Sequence, residues 1–121
     1  MIGGLLVAAA AVTATPAEHC AVMSVVAREH LHFDERASPP LRASGDYLPD
    51  CPWEELGVKI GTKPAYRQSK LLFLPPTIDG DTAKVIVLVI YAPLAGARWD
   101  CRLRKVDEDW KLGACYRLTA I

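Results

Sequence analysis

The sequence has no excess of charge of either sign. Its 121 residues include 14 Lys and Arg and 14 Asp and Glu, so the formal net charge is +0 at pH 7. A chain with balanced charge has no global field that draws it to nucleic acid, to an anionic membrane or to acidic ligands. We therefore expect no nucleic-acid partner, and the length leaves room for one domain.

The common signatures of enzymes and metal sites are also missing. The cysteines form no C-x-x-C pair and do not have the clustered Cys/His spacing of a zinc site. None of the serines stands in a G-x-S-x-G elbow. The carboxylates Asp107, Glu108 and Asp109 crowd a predicted hairpin tip, where we expect them to be solvated. The absence of these motifs predicts no catalytic set, no cofactor and no metal.

What the sequence does contain begins with an uncharged N-terminal segment, residues 1–17. Its apolar run, residues 2–12, is too short for a bilayer core, which needs about 20 residues. Small residues then fit the pattern that a signal peptidase reads, with cleavage after Ala14 or Ala17. We predict a signal peptide over 1–17 and a periplasmic or secreted protein, although the segment lacks a basic residue. The alternative is a buried N-terminal helix.

All four cysteines lie after the predicted cleavage sites, which predicts two disulfides in an exported domain. Four cysteines allow three pairings. Cys101 and Cys115 lie on two predicted strands of one hairpin, and they face each other only in even register. The amphipathic pattern fits odd register better, and a bulge at the turn restores even register. We favour Cys101–Cys115 with Cys20–Cys51.

Residues 18–121 are predicted to form a single disulfide-stapled domain that begins with a helix over 18–31. Thr13 or Thr15 can cap this helix, and Pro16 is tolerated in its first turn. A core-facing stripe has helical spacing, with Ser24 among the residues that lie away from it. The stripe comprises Val22, Met23, Val26, Ala27 and His30.

A proline-rich irregular segment follows over residues 32–66, with a short turn of helix predicted at 52–56. The remaining chain carries strand signals over residues 68–74, 83–92, 97–105 and 110–118. The run 83–92 is apolar at both phases, which predicts a strand covered on both faces. The order of elements predicts an α+β fold, one N-terminal helix packed on a curved antiparallel sheet of about four strands.

The second half of the chain resembles uncharacterised exported bacterial proteins. The shared features are an Asp79-Gly80 turn, an A-x-V-x-V strand at 83–87, a P-L-x-G connection at 93–96, C-x-L-x-K at 101–105 and W-x-L at 110–112. More distantly, a helix on a curved sheet is similar to the cystatin-like and nuclear-transport-factor-2-like folds. The resemblance implies an architecture and no particular activity, since those folds host enzymes and binding modules alike.

The densest set of ionisable groups consists of His30 and His32 with Glu29 and Asp34. These residues lie at a helix end, where a histidine can also donate hydrogen bonds to free carbonyls and interact favourably with the helix dipole. An H-x-H pair chelates a metal from a strand far better than from a helix. We keep these four residues as the acid–base set of an alternative function, a small envelope enzyme with a pocket between helix and sheet.

Two segments are candidates for binding. Arg102 and Arg104 share one face of a locally basic hairpin, and Arg is common at interface anchors. Asp46, Tyr47 and Trp53 belong to the proline-rich loop, where the aromatic residues equally fit a role in covering the core. We expect an exported, monomeric, non-enzymatic module that binds a protein or a small ligand in the cell envelope, with no membrane span after cleavage.

Overall fold

The computed structural model describes the chain from the start of its helix to the end of its last strand, with gaps. The described residues are 15–39, 41–43, 50–61, 70–92 and 95–120. The predicted signal segment up to residue 14 lies outside them, and so do the candidate ligand residues Asp46 and Tyr47.

The helix α1 spans Pro16–Glu29 and begins at a capping box. The Glu18 amide donates to the Thr15 hydroxyl at 3.2 Å, and the Thr15 amide donates to the Glu18 carboxylate at 3.4 Å. This reciprocal pair satisfies two amides that have no partner within the helix. The helix starts two residues before the predicted position, because Pro16 and Ala17 form its first turn.

The predicted core stripe of α1 is buried except for His30, which is half-buried. The prediction that Ser24 lies away from the core is wrong, since only 1% of the surface of Ser24 is exposed. Its hydroxyl donates to the Ala21 carbonyl at 2.7 Å, so the polar group is satisfied without water. Within the described residues, no helix is long and apolar enough to cross a membrane.

Within the described ranges, six strands form one sheet. Their bounds are β1 Leu41–Ala43, β2 Lys70–Phe73, β3 Thr77–Asp79, β4 Thr82–Ala92, β5 Ala95–Val106 and β6 Asp109–Ala120. The strand order is β1-β2-β4-β5-β6, and β3 also pairs with β4. All pairs are antiparallel except β1 with β2.

The architecture therefore agrees with the predicted helix on a largely antiparallel sheet, but it is richer in strands. The two additional strands, β1 and β3, have three residues each. Strands this short carry too little alternation to be separated from loops by pattern alone. β1 lies within the segment predicted to be irregular, and β3 ends at Asp79, the first residue of the predicted Asp79-Gly80 turn. The segment 53–57 is a turn rather than a helix.

The core lies between α1 and one face of the sheet, which we call the inner face. Ala83, Val85, Val87 and Val89 of β4 are buried there. The residues between them along β4 are only half-buried, so the expectation that this strand is covered on both faces is wrong. The described part of the chain supplies one helix, and it packs against the inner face.

The structure contains the two disulfides that the sequence analysis favours, Cys20–Cys51 and Cys101–Cys115. The even register of the second pair has a different origin from the predicted bulge at the turn. A two-residue turn, Asp107-Glu108, joins β5 to β6 with positive φ angles of 52° and 69°. The register stays odd near the turn and shifts by one between Arg102 and Leu103, which brings Cys115 opposite Cys101.

We expect signal cleavage after Ala14, because cleavage after Ala17 would remove Thr15 and the first two residues of α1. A variant that begins at Glu18 should be less stable than one that begins at Thr15 by about 1 kcal/mol, the usual contribution of a helix cap. Chemical denaturation of both variants measures this difference. Thr15→Ala in the longer variant should reproduce most of the loss, and equal stability of all three would contradict the role of the capping box.

Candidate functional site

Basic side chains collect on the outer face of the sheet, the face opposite α1. They alternate along β4 and β5 with the buried inner residues, which fixes the side on which they project. Lys84 of β4 lies directly opposite Arg102 of β5. Arg104 of β5 lies directly opposite Lys111 of β6. The four cations thus form two cross-strand pairs on neighbouring rows of the sheet.

A groove of about 740 Å³ passes over these two rows. Four of its lining residues are cationic, and Asp79 is its one carboxylate. The lining comprises Thr77, Asp79, Thr82, Ala83, Lys84, Arg102, Leu103, Arg104, Val106, Lys111, Leu112 and Gly113. This volume lies within the range of small-molecule sites, and the mixture of apolar and cationic lining suits an anionic organic ligand.

Asp100 holds Arg102 in place. The Arg102 Nε and Nη2 donate to the two Asp100 carboxylate oxygens at 2.8 and 3.0 Å. The Asp100 side chain is 12% exposed, whereas that of Arg102 is 56% exposed. The guanidinium is therefore anchored by a buried carboxylate and still accessible to solvent. Bidentate pairing of this kind fixes orientation as well as charge.

The charges around Asp100 lower its pKa below the ordinary value. The hydrogen bonds from Arg102 are the main cause, and the charges of Arg102, Lys84 and Arg98 act in the same direction against the opposing effect of burial. The same hydrogen bonds raise the pKa of Arg102. Asp100 is consequently a carboxylate at neutral pH, and Arg102 keeps its positive charge.

Arg98 lies two residues from Asp100 on the same outer face. Its Nε atom is buried and has no hydrogen-bond partner among the residues that the structure describes. A buried donor without a partner costs free energy, which is more often tolerated at functional sites than in a plain core. The outer face therefore carries more positive charge than its single buried carboxylate compensates.

The two cation pairs are unfavourable for the isolated fold. Side chains directly opposite each other on antiparallel strands have Cβ atoms about 5 Å apart, and like charges at this distance destabilise the sheet. Lys84 with Arg102 and Arg104 with Lys111 are two such pairs. Asp100 already offsets the repulsion between Lys84 and Arg102 in part, and a bound anion would relieve that between Arg104 and Lys111.

The structure brings together only some of the candidate residues from the sequence. Arg102 and Arg104 lie in the groove, as neighbours on one strand face. Trp53 is on the other side of the sheet, where its ring stacks on the buried Phe73 with 6.2 Å between ring centroids. It therefore covers the core, one of the two roles considered for it.

Lys84 is the main residue of the candidate site that sequence reasoning missed. It lies inside the apolar run of β4, where the surrounding valines dominate the hydrophobic pattern. The available signal was that Lys84 is the one charged residue of this strand and lies out of phase with the buried positions. A charge at that phase indicates an open outer face.

The residues of the alternative enzyme are split between two places. The His30 ring packs edge-on against Trp99, with 4.4 Å between the ring centroids. One nitrogen of the His30 ring lies within 4.8 Å of the Cys101 and Cys115 sulfurs. Burial, followed by the nearby His32, lowers the pKa of His30. Those sulfurs are joined in a disulfide, so neither is a free thiolate.

The other residues of that set face solvent. His32 and Asp34 are exposed in the turn after α1, where their ligand atoms lie within 4.8 Å of each other and of Glu35. Glu29 is also exposed and pairs with Arg28 at 3.7 Å. Exposed acidic groups commonly lie this close without binding a metal. Neither the large groove nor a second one of about 280 Å³ beside α1 is lined by His30 or His32.

We expect Asp100→Asn to remove a pH-dependent contribution to stability. Folding lowers the pKa of Asp100 below the usual value of about 3.9, so its carboxylate stabilises the fold above that pH. This contribution disappears as the pH falls through the lowered pKa. The difference in free energy of unfolding between the wild type and Asp100→Asn should therefore be largest near pH 7 and shrink toward pH 2.

Denaturant titrations between pH 7 and pH 2 measure this difference. Asp79→Asn is the matched control, since it removes a carboxylate that lines the same groove and is exposed. A wild-type advantage over Asp100→Asn that stays constant across the range would show that the carboxylate is not the stabilising group.

No family model, curated protein or solved structure matches this chain. The resemblance to cystatin-like and nuclear-transport-factor-2-like folds therefore stays a prediction.

Proposed function

We propose that this chain is an exported, non-enzymatic binding module and that its outer groove takes an anionic ligand. The observation that carries the proposal is the lining of the groove, with four cations against one carboxylate in a chain whose formal net charge is +0. The positive field is therefore local to this surface. A localised field concentrates anions at one site instead of attracting them to the whole molecule.

The site is partly organised before a ligand arrives. Asp100 holds the Arg102 guanidinium through two hydrogen bonds, so binding immobilises fewer freely rotating groups on that side. Arg104 and Lys111 are exposed on adjacent strands and provide charge at the other end. Rigid strands hold all four cations, which favours a defined ligand over diffuse ion pairing.

Apolar atoms in the groove favour an organic anion over a simple inorganic ion. Val106 lines the groove and is 43% exposed. The alkyl stems of Lys and Arg side chains add further apolar surface below their charged ends. An anion with a hydrocarbon part can bury this surface while its charged groups reach the cations.

The proposed compartment is the periplasm or the exterior of the cell. The two disulfides are compatible with an oxidising, extracellular compartment, where such bonds persist. The uncharged segment 1–17 supports export on sequence grounds. A binding module in this location would meet its ligand or partner in the cell envelope.

We expect the fluorescent anion 8-anilinonaphthalene-1-sulfonate to bind the wild type and to bind Arg104→Gln about fivefold more weakly. Loss of one charge near a sulfonate at the protein surface corresponds to about 1 kcal/mol. Fluorescence titration at low ionic strength measures both affinities. Lys59→Gln removes one exposed positive charge outside the groove and should change the affinity less than twofold.

The neutral analogue N-phenyl-1-naphthylamine separates charge recognition from hydrophobic adsorption. It should bind more weakly than the sulfonate and respond equally little to Arg104→Gln and Lys59→Gln. If the neutral compound binds as tightly as the anion, or if both variants weaken the anion equally, the groove is not an anion site.

A further inference from the structure

We propose that the ligand is a linear dianion, with two anionic groups at the ends of an apolar linker. This inference rests on the proposed function and specifies its ligand. It follows from the positions of the four cations, which form two separate pairs instead of one cluster. Each pair offers a place for one anionic group between its two side chains.

The sheet register gives the arrangement of the two pairs. One row across the sheet contains Thr77, Lys84, Arg102 and Ala114, and the next row on this face contains Asp79, Thr82, Arg104 and Lys111. In the first row the cations stand on β4 and β5. In the second row they stand on β5 and β6. The two anion positions are therefore displaced both along the strands and across them.

The distance between the two positions follows from strand geometry. Two residues along a strand correspond to about 7 Å, and the step from one strand to the next is about 4.8 Å. The midpoints of the two cation pairs are consequently about 8 Å apart. A ligand that reaches both must carry its anionic groups at roughly this separation, which an extended linker of five or six methylene groups provides.

The net charge of the groove favours more than one anionic group. Its lining contains four cations and one carboxylate, Asp79. Just outside the lining, Asp100 and Arg98 lie on the same strand face and balance each other in charge. Three positive charges therefore stay uncompensated, more than a monoanion neutralises. Asp79 stands two strands away from Arg104 in its row, with Thr82 between them, so it does not occupy either anion position.

The region between the two positions suits a linker without charge. The backbone of Leu103, Leu112 and Gly113 lines this part of the groove, because both leucine side chains are on the inner face, and the stems of the basic side chains flank it. Gly113 adds no side chain of its own there, and it lies where β6 shifts register against β5. A hydrocarbon linker loses no hydrogen bonds on such a surface, whereas a polar linker would.

A homologous series of dicarboxylates tests the proposal on the full chain. Succinate, pimelate and suberate differ in the separation of their carboxylates, and heptanoate is the monoanion matched to pimelate. Amide chemical shifts of the ¹⁵N-labelled protein, followed during titration at constant ionic strength, give each affinity. We expect pimelate or suberate to bind at least tenfold more tightly than succinate and heptanoate.

Variants distinguish two-point binding from general attraction. Arg104→Gln should reduce the advantage of pimelate over heptanoate to less than threefold, because pimelate then keeps only the position at Lys84 and Arg102, which heptanoate can also use. Lys111→Gln should act in the same direction. Lys59→Gln, outside the groove, should preserve the full advantage. The spectrum of each variant without ligand reports whether the fold is intact.

The possible failures of this proposal and of the proposed function look different. If heptanoate binds as tightly as pimelate, the dianion inference is wrong and the anion site stands. If neither these ligands nor the naphthalene sulfonate bind, the proposed function fails as well. An extended acidic peptide, acetyl-Glu-Val-Glu-amide, completes the series, and tighter binding of this peptide than of every dicarboxylate would overturn the small-dianion inference in favour of a protein partner.

Discussion

Burial of Val85, Val87 and Val89 beneath α1 decides which way residues 83–90 of β4 and 97–104 of β5 face. Side chains along a strand alternate strictly, so fixing one phase in the core fixes the other phase on the outside. The cross-strand register then transfers this choice from β4 to β5, where Cys101 is buried opposite Val85. Lys84 and the arginines of β5 have no alternative to the outer face. The candidate site is thus a direct consequence of how the core packs.

The same constraint explains why the outer face has a concentrated positive charge in a neutral chain. Two like-charge pairs across the strands are a local cost that one buried carboxylate offsets only in part. Stability in this domain comes from elsewhere, from the core under α1 and from two disulfides that restrict the unfolded chain. A fold with this support tolerates repulsion between cations on its surface. Such repulsion indicates a functional site more strongly than the number of charged residues does.

The two disulfides stabilise different parts of the domain. Cys20–Cys51 ties the turn after residue 50 to the start of α1, close to the residues that close the core, including Trp53 on Phe73. Cys101–Cys115 joins the two strands that carry three of the four groove cations. This second bond holds β5 and β6 together on the inner face, and the register shift next to it places Ala114 opposite Arg102. Of the two candidate binding segments, the proline-rich loop contributes Trp53 to the core, whereas the hairpin places Arg102 and Arg104 in the groove.

The sequence by itself determined the helix and the long strands, because each depends on local periodicity or capping. It favoured the correct pairing among three for the cysteines, but a register shift that only the structure shows brings Cys115 opposite Cys101. It could not determine the short strands β1 and β3, the burial of Ser24 or the single-sided cover of β4, since these depend on which elements meet in space. Only the tertiary structure placed Lys84 opposite Arg102 and Lys111 opposite Arg104. That outcome depends on register: the two-residue turn places Arg104 opposite Lys111, and the shift of one residue beyond Leu103 places Cys115 opposite Cys101.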